Sequence, residues 1–226
     1  MDNDIMLSWH DKLIEECIHY EKVGMGHINT YFWMSDPKHL CFTLSRYKFV
    51  SKMLSGKKSV LEIGCGDGFC VPIITQEVSM YNGIDISSKC IEIASANRPK
   101  SIIDRAEFEV HDISLSPYTS ISESAFALDV MEHIPPEKET DVMDNVYKSL
   151  SEDSIFIIGT PNFYARNYSS SINRSIHLNY YTYEKLRDVL TIYFRNVFVF
   201  SMNDEVVHTG YYKMAHYLFG MGVGKR

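Results

Sequence analysis

The stretch VLEIGCGDGF, Val60 to Phe69, sets an apolar run directly against three glycines at alternate positions, Gly64, Gly66 and Gly68. The run has the length and β-branched start of a buried strand. The glycines after it make a turn whose backbone a ligand can approach closely. A dinucleotide fingerprint requires G-x-G-x-x-G, and Phe69 occupies the place of its third glycine. A Walker loop would end in Gly-Lys-Ser/Thr, and no lysine follows Gly68. Neither phosphate-binding pattern fits.

Working outward from this stretch, strands and helices alternate. YNGIDIS (81–87) reads as a second strand, and Ser87 caps the helix that carries Ile91 and Ala94. AEFEVHDI (106–113) alternates as a third strand and SAFALDV (124–130) is a fourth. A helix with Val142, Met143, Val146 and Leu150 inward precedes a fifth strand, SIFIIGT (154–160). Cys70 to Val78 reads as the helix after the first strand. Thr182 caps a late helix bearing Leu186, Val189 and Leu190. FRNVFVFSM (194–202) and YYKMAHYLFGMGV (211–223) are both strand-like, and no helix fits between them, so they pair antiparallel. The pattern predicts an α/β, Rossmann-like, doubly wound fold: a mostly parallel seven-stranded sheet with an antiparallel C-terminal hairpin and N-terminal helices.

Residues 1–56 form those helices and are expected to act as a cap or lid on one domain spanning 1–226. Ser8 is the expected cap of a helix with Trp9, Leu13, Cys17 and Tyr20. Asp36-Pro37 starts another, carrying Leu40, Leu44, Tyr47 and Leu54 and ending at Gly56. VGMGHINTYFW (23–33) between them reads as a connector or a lid segment.

Bulk properties restrict the function. The 226 residues suit one domain. A formal net charge of -7 without a basic block argues against a nucleic-acid partner. No signal peptide or membrane-spanning run stands out. Cys17, Cys41, Cys65, Cys70 and Cys90 form no C-x-x-C pair, so a reduced, cytoplasmic location is expected.

Four segments now fall at strand ends in one order: LEIGCGDGF, GIDIS, VHDIS and ALDVMEHIP. Together they resemble the class I S-adenosylmethionine-dependent methyltransferases, in the branch that includes the ubiquinone-biosynthesis O-methyltransferases. The resemblance covers roughly residues 40 to 225 and implies S-adenosylmethionine as cofactor. Gly64, Cys65, Gly66 and Gly68 would then face its amino-acid part, with Glu62 beneath the turn toward the ammonium. Asp85 would accept the ribose hydroxyls and Asp112 the adenine amino group, with Ile86 and Ile113 flanking the ring. Arg46 is a candidate partner of the cofactor carboxylate, and Asp129 also falls at the cofactor.

Some relatives in that branch bind a divalent ion through Glu-x-x-Glu-His. Asp129, Glu132 and His133 are the corresponding set here, with aspartate in the first place, while many relatives share D-V-x-E-H without metal. His133 and His177 are the candidate bases, His208 is a weaker third, and His111 is expected to be structural. The polar segment 160–182 is longer than a connector needs and rich in Asn, Ser and Tyr, which suits a polar, hydroxyl-bearing small-molecule acceptor. A sugar, a nucleotide-linked intermediate and a quinone precursor all fit. The oligomeric state stays open. The competing readings are N-methylation of a small molecule, a nicotinamide-dependent oxidoreductase, and a catalytically silent cofactor-binding subunit.

Overall fold

The computed structural model of the protein describes residues 3–20, 24–168 and 171–226. Three helices come first: α1 (Asn3–Cys17), α2 (Gly26–Ser35) and α3 (Pro37–Met53). The alternating body follows: β1 (Ser59–Ile63), α4 (Val71–Ile74), β2 (Met80–Asp85), α5 (Ser88–Asn97), β3 (Ala106–Val110), β4 (Ser122–Leu128), α6 (Glu139–Lys148) and β5 (Leu150–Pro161). Then come α7 (Ser171–Ile176), α8 (Tyr183–Tyr193), β6 (Phe194–Asn203), β7 (Val206–His208) and β8 (Tyr217–Lys225).

The strands form one sheet in the order β3-β2-β1-β4-β5-β8-β6-β7. The first five run parallel; β8 and β6 add antiparallel, and β7 pairs with the end of β6. Eight strands replace the seven expected. The additional strand is β7, three residues within the gap between the hairpin strands, paired only through Ser201 to Asn203.

Alternation along β1 sorts the two cores. Leu61 and Ile63 face Ile84, Phe156 and Ile158, and α6 and α8 cover them with Val142, Met143, Val146, Leu186 and Leu190. Val60 faces the other way, with Tyr81, Phe126, Ile157 and Phe219, under Val50 of α3, Leu54 just after it, and Val71 and Ile74 of α4. The sheet is thus covered on both faces, as a parallel sheet requires.

Helix starts follow the local chemistry. Ser87 Oγ accepts from the Cys90 amide, and Thr182 caps α8 through the Lys185 amide. Asp36 and Pro37 start α3, although the Asp36 side chain makes no capping bond. Four expectations need correction. Ser8 lies inside α1 and does not cap it. Residues 26–35 form a helix where a connector or lid segment was expected; Val23, which begins that stretch, and Ser169 and Ser170 of the later insert lie outside the described residues. The helix expected from Cys70 to Val78 is only the four residues of α4, consistent with the helix-averse branched side chains at Val71, Ile73, Ile74 and Thr75. Leu150 opens β5 instead of closing α6. Among the described residues no helix is long and apolar enough to cross a membrane.

Glu62 alternates onto the α3 face, where apolar residues surround it. It is 1% exposed, and its two carboxylate oxygens accept the hydroxyls of Tyr47 (2.5 Å) and Tyr81 (2.5 Å). Burial pushes its pKa from 4.5 up to about 7, against the lowering effect of the two tyrosines. The folded chain therefore keeps this proton through a pH range in which the unfolded chain has released it, so stability falls as pH rises from 4.5 to about 7. Glu62→Gln removes that dependence. The variant is expected to gain stability relative to wild type across the window, by at most about 3 kcal/mol, in urea unfolding at each pH. A difference that stays constant with pH contradicts this assignment.

Candidate active site

The strand order reverses between β1 and β4, and their carboxyl ends open a crevice. Gly64 has φ +74°, and a Cβ built on it would lie 2.4 Å from Val130 Cγ2. A side chain there would push the turn after β1 away from the turn after β4. The two turns meet around a cavity of about 590 Å³. Its walls come from α2 (Ile28, Asn29, Phe32), α3 (His39, Thr43, Arg46, Tyr47), the glycine turn, the β4 end and the insert (Pro161, Ile176, His177).

The glycine turn is braced from below. The Gly66 amide donates to Asp85 Oδ2 (3.0 Å) and the Ser87 amide to Asp85 Oδ1 (2.8 Å), which places Asp85 at the end of β2 beside the turn. Asp112 lies past β3, with Oδ1 accepting the Ser114 amide at 2.9 Å. Ile86 stands exposed, whereas Ile113 is buried in the core that α6 covers. Gly64, Cys65 and Gly66 line the cavity; Glu62 does not, but Tyr47, which it holds, does.

Arg46 reaches from α3 across the cavity to Asp129 Oδ2 at 2.8 Å, and its guanidinium lies 4.0 Å from the centre of the Tyr217 ring. Its Nε is buried with no partner among the described residues. Among the described residues Asp129 is one of two non-glycine residues with positive φ (+56°), a strained conformation that aims its carboxylate at α3.

That orientation changes the expected metal set. Glu132, His133 and His177 bring one ligand atom each within 4.8 Å of one another, while Asp129 is outside the group and paired with Arg46. His177 thus takes the place assigned to Asp129. The insert is tied to the β4 turn, because the Leu178 and Asn179 amides both donate to the Glu132 carbonyl (2.7 and 3.0 Å). His133 Nδ1 faces the Ile176 carbonyl at 3.1 Å, which makes Nδ1 the protonated nitrogen and leaves Nε2 able to accept a proton or bind an ion. Glu132 Oε2 accepts from Thr160 (3.1 Å), but Oε1 and His177 Nδ1 are both buried without partners among the described residues. Burial, then the neighbouring Asp129 charge, raises the Glu132 pKa well above the carboxylate range; burial, then His133, lowers that of His177. His111 and His208 lie outside the cavity, His111 against the Ser116 carbonyl and His208 against Asn203.

Several lining residues carried no signal in the sequence. Asp67, inside the glycine turn, accepts from the Ile28 amide and from Asn29 Nδ2, each at 3.2 Å. Gly26 packs so tightly on it that a Cβ would meet Asp67 Oδ2 at 2.1 Å. Phe32 stacks on His39 with ring centres 4.1 Å apart. The glycines in the stretch 23–33 were the available hint that α2 lies against the turn.

A family model described as a methyltransferase domain matches residues 54–197. A Geobacillus protein provisionally named a methyltransferase is 24% identical over 122 residues, 51% of this chain and 49% of its own length. The chain therefore spans about half the length of that curated relative. Among solved structures, the methyltransferase domain of bacterial CtHen1 is similar at TM-score 0.67 and 16% identity, over 81% of this chain and 99% of that one. The plantazolicin methyltransferase BpumL in complex with S-adenosylhomocysteine is similar at 0.64 and 16%, over 88% and 89%. The N-methyltransferase NodS of Bradyrhizobium japonicum is similar at 0.60 and 14%, over 88% and 94%.

Asp67→Ala removes both bonds that hold the start of α2. Hydrogen exchange across 26–35 is expected to speed up about thirtyfold while that of α3 stays unchanged, since the two lost bonds contribute about 1 kcal/mol each. Unchanged protection of α2 would show that Asp67 does not hold it.

Proposed function

The chain belongs to the methyltransferase-domain family, and on that premise we propose that it methylates a hydroxyl oxygen of a small polar acceptor, with S-adenosylmethionine as donor. The observation that carries this reading is the two-ended cavity: a braced glycine turn at one end, and Glu132, His133 and His177 at the other, beside the polar insert. The residues suit the donor. A Cβ on Gly66 would meet nothing nearer than Ile28 Cδ1 at 3.8 Å, which leaves its backbone approachable from the cavity, and Arg46 has a buried nitrogen without a partner among the described residues, suited to a carboxylate. When bound, the cofactor supplies an electrophilic methyl on a positively charged sulfur.

The chain's own part is to bind and align, which accounts for much of the rate of an in-line transfer. Asp85 holds the ribose hydroxyls and Asp112 the adenine amino group. Arg46, released in part from Asp129, holds the carboxylate. Glu62 acts by fixing Tyr47. His133 accepts the acceptor's proton on Nε2, and His177, kept neutral by its surroundings, orients the hydroxyl. Residues 1–56 serve as the lid and 160–182 as the acceptor-side insert. Five free cysteines suit a reducing, cytoplasmic setting.

The same cluster supports a second reading of its chemistry. The orphaned Glu132 Oε1 and His177 Nδ1, with His133 Nε2, fit a divalent ion, which would lower the pKa of a bound hydroxyl. Cobalt(II) titrated into chelator-treated protein is expected to give one visible-absorbing complex per chain, lost in His177→Ala. Absence of that spectrum would leave the two histidines to act without metal.

Methyl gain from deuterated S-adenosylmethionine, read by mass spectrometry over a panel of hydroxyl and amine compounds, tests the acceptor. Transfer to hydroxyl compounds is expected, slowed about 100-fold or more in His133→Ala. Gain on amines alone would transfer the site to the N-methylation that the NodS name describes for that protein. Cofactor binding with no transfer to any acceptor would favour a silent subunit.

A further inference from the structure

The segment 159–182 carries Arg166 and Arg174 and no acidic residue, within a chain of net charge -7. The segment packed near it, 207–218, carries Lys213 and again no acid. Between them they place a continuous run of rings that leads away from the cavity. From His133 to His177 the ring centres are 5.0 Å apart, then 5.9 Å to Tyr180, 6.3 Å to Phe163 and 5.5 Å to Tyr164. The run continues 6.3 Å to Tyr212 and 4.9 Å to Tyr183. Every step is within aromatic contact range.

Two cations sit along this track. The Arg166 guanidinium is 4.3 Å from the centre of the Phe163 ring, and the Lys213 ammonium is 5.8 Å from that of Tyr164. Both side chains are exposed, and neither forms an ion pair among the described residues. Glu184, beside the track, accepts the Tyr212 hydroxyl. Tyr164 is 39% exposed and Tyr211, next to Tyr212, 61%. Rings that only filled a core would not be left open in this way.

The order along the track is the histidines, then Arg166 on Phe163, then Lys213 on the exposed Tyr164, with the half-buried Tyr212 and the exposed Tyr211 beyond. We propose that the track binds an acceptor built in the same order: a hydroxyl-bearing group at His133 and His177, a diphosphate at Arg166 and Lys213, and a nucleobase stacked on Tyr164 and Tyr212. The acceptor is thus a nucleoside-diphosphate-linked compound. This rests on the methyl-transfer reading above and narrows its acceptor. Unpaired exposed cations are suited to phosphate oxygens, and aromatic faces stack any base. A long nucleic acid fits less well, because the two segments carry only Arg166, Arg174 and Lys213 and the chain as a whole has a net charge of -7, which repels a polyanion.

The test is calorimetry on the full chain saturated with S-adenosylhomocysteine, using uridine diphosphate and guanosine diphosphate as probes so that the adenosine site stays occupied. Saturable one-to-one binding is expected. Arg166→Ala combined with Lys213→Ala, and separately Tyr164→Ala, should each weaken it about tenfold or more, while affinity for S-adenosylhomocysteine changes less than about twofold. The unchanged affinity also shows that the variants fold. Failure of S-adenosylhomocysteine to bind wild type would overturn the methyl-transfer reading and this inference with it. Binding of that product without any nucleotide binding, or nucleotide binding equal in the variants, overturns this inference alone. A short single-stranded RNA that binds wild type, is not displaced by the diphosphates and is weakened by the same substitutions would reassign the track to a nucleic-acid end and overturn it as well.

Discussion

The site depends on the close approach of two backbone turns at the carboxyl ends of β1 and β4. Gly64 permits it, because a Cβ there would lie 2.4 Å from Val130. Once the turns touch, the remaining pieces have fixed places. Asp85 comes under the Gly66 amide from one side. On the other, Asp129 is turned by its positive φ toward Arg46, which pins α3 across the opening. Asp67 then brings the start of α2 onto the same turn. The cavity is thus assembled from five separate chain segments, and a ligand that touches the glycine turn also touches the elements that cover it.

Two buried carboxylates show how different surroundings direct the same group. Glu62 is satisfied at both oxygens by tyrosines and serves the packing of α3 on the sheet. Glu132 is satisfied at one oxygen only, and its other oxygen shares the cavity with two histidines. A buried carboxyl with an open lone pair is costly in a purely structural position. Its presence at the cavity wall agrees with the proposed role of Glu132 as a group that meets a ligand. The sequence places these two glutamates in equally prominent motifs, and only the packing separates their roles.

The alternating body was readable because each parallel strand is a short apolar run and each turn carries glycine or a capping residue. Ser87 and Thr182 cap as their positions imply. What escaped the sequence had no local signature. β7 is three residues long and gains its identity only by pairing with β6. α2 has aromatic residues on many sides, with Tyr31, Trp33 and Met34 exposed, so its pattern shows no clean apolar stripe. The metal-like cluster was misread by one member because Asp129 and His177 are 48 residues apart in number, and which of them faces Glu132 depends on the Asp129 φ angle and on Leu178 and Asn179 docking to the Glu132 carbonyl. His39, Thr43 and Asn29 reach the cavity only because α2 and α3 fold back over it.

The central claim is that the braced glycine turn and Asp85 together hold an S-adenosyl compound. Calorimetry of S-adenosylhomocysteine with wild type, Asp85→Ala and Gly64→Val tests it most directly. The account predicts saturable one-to-one binding by wild type, weakened about 100-fold or more in both variants, with Asp85→Ala still folded. Folded wild-type protein that takes up no S-adenosylhomocysteine, or an Asp85→Ala variant that binds it as well as wild type, would contradict the account.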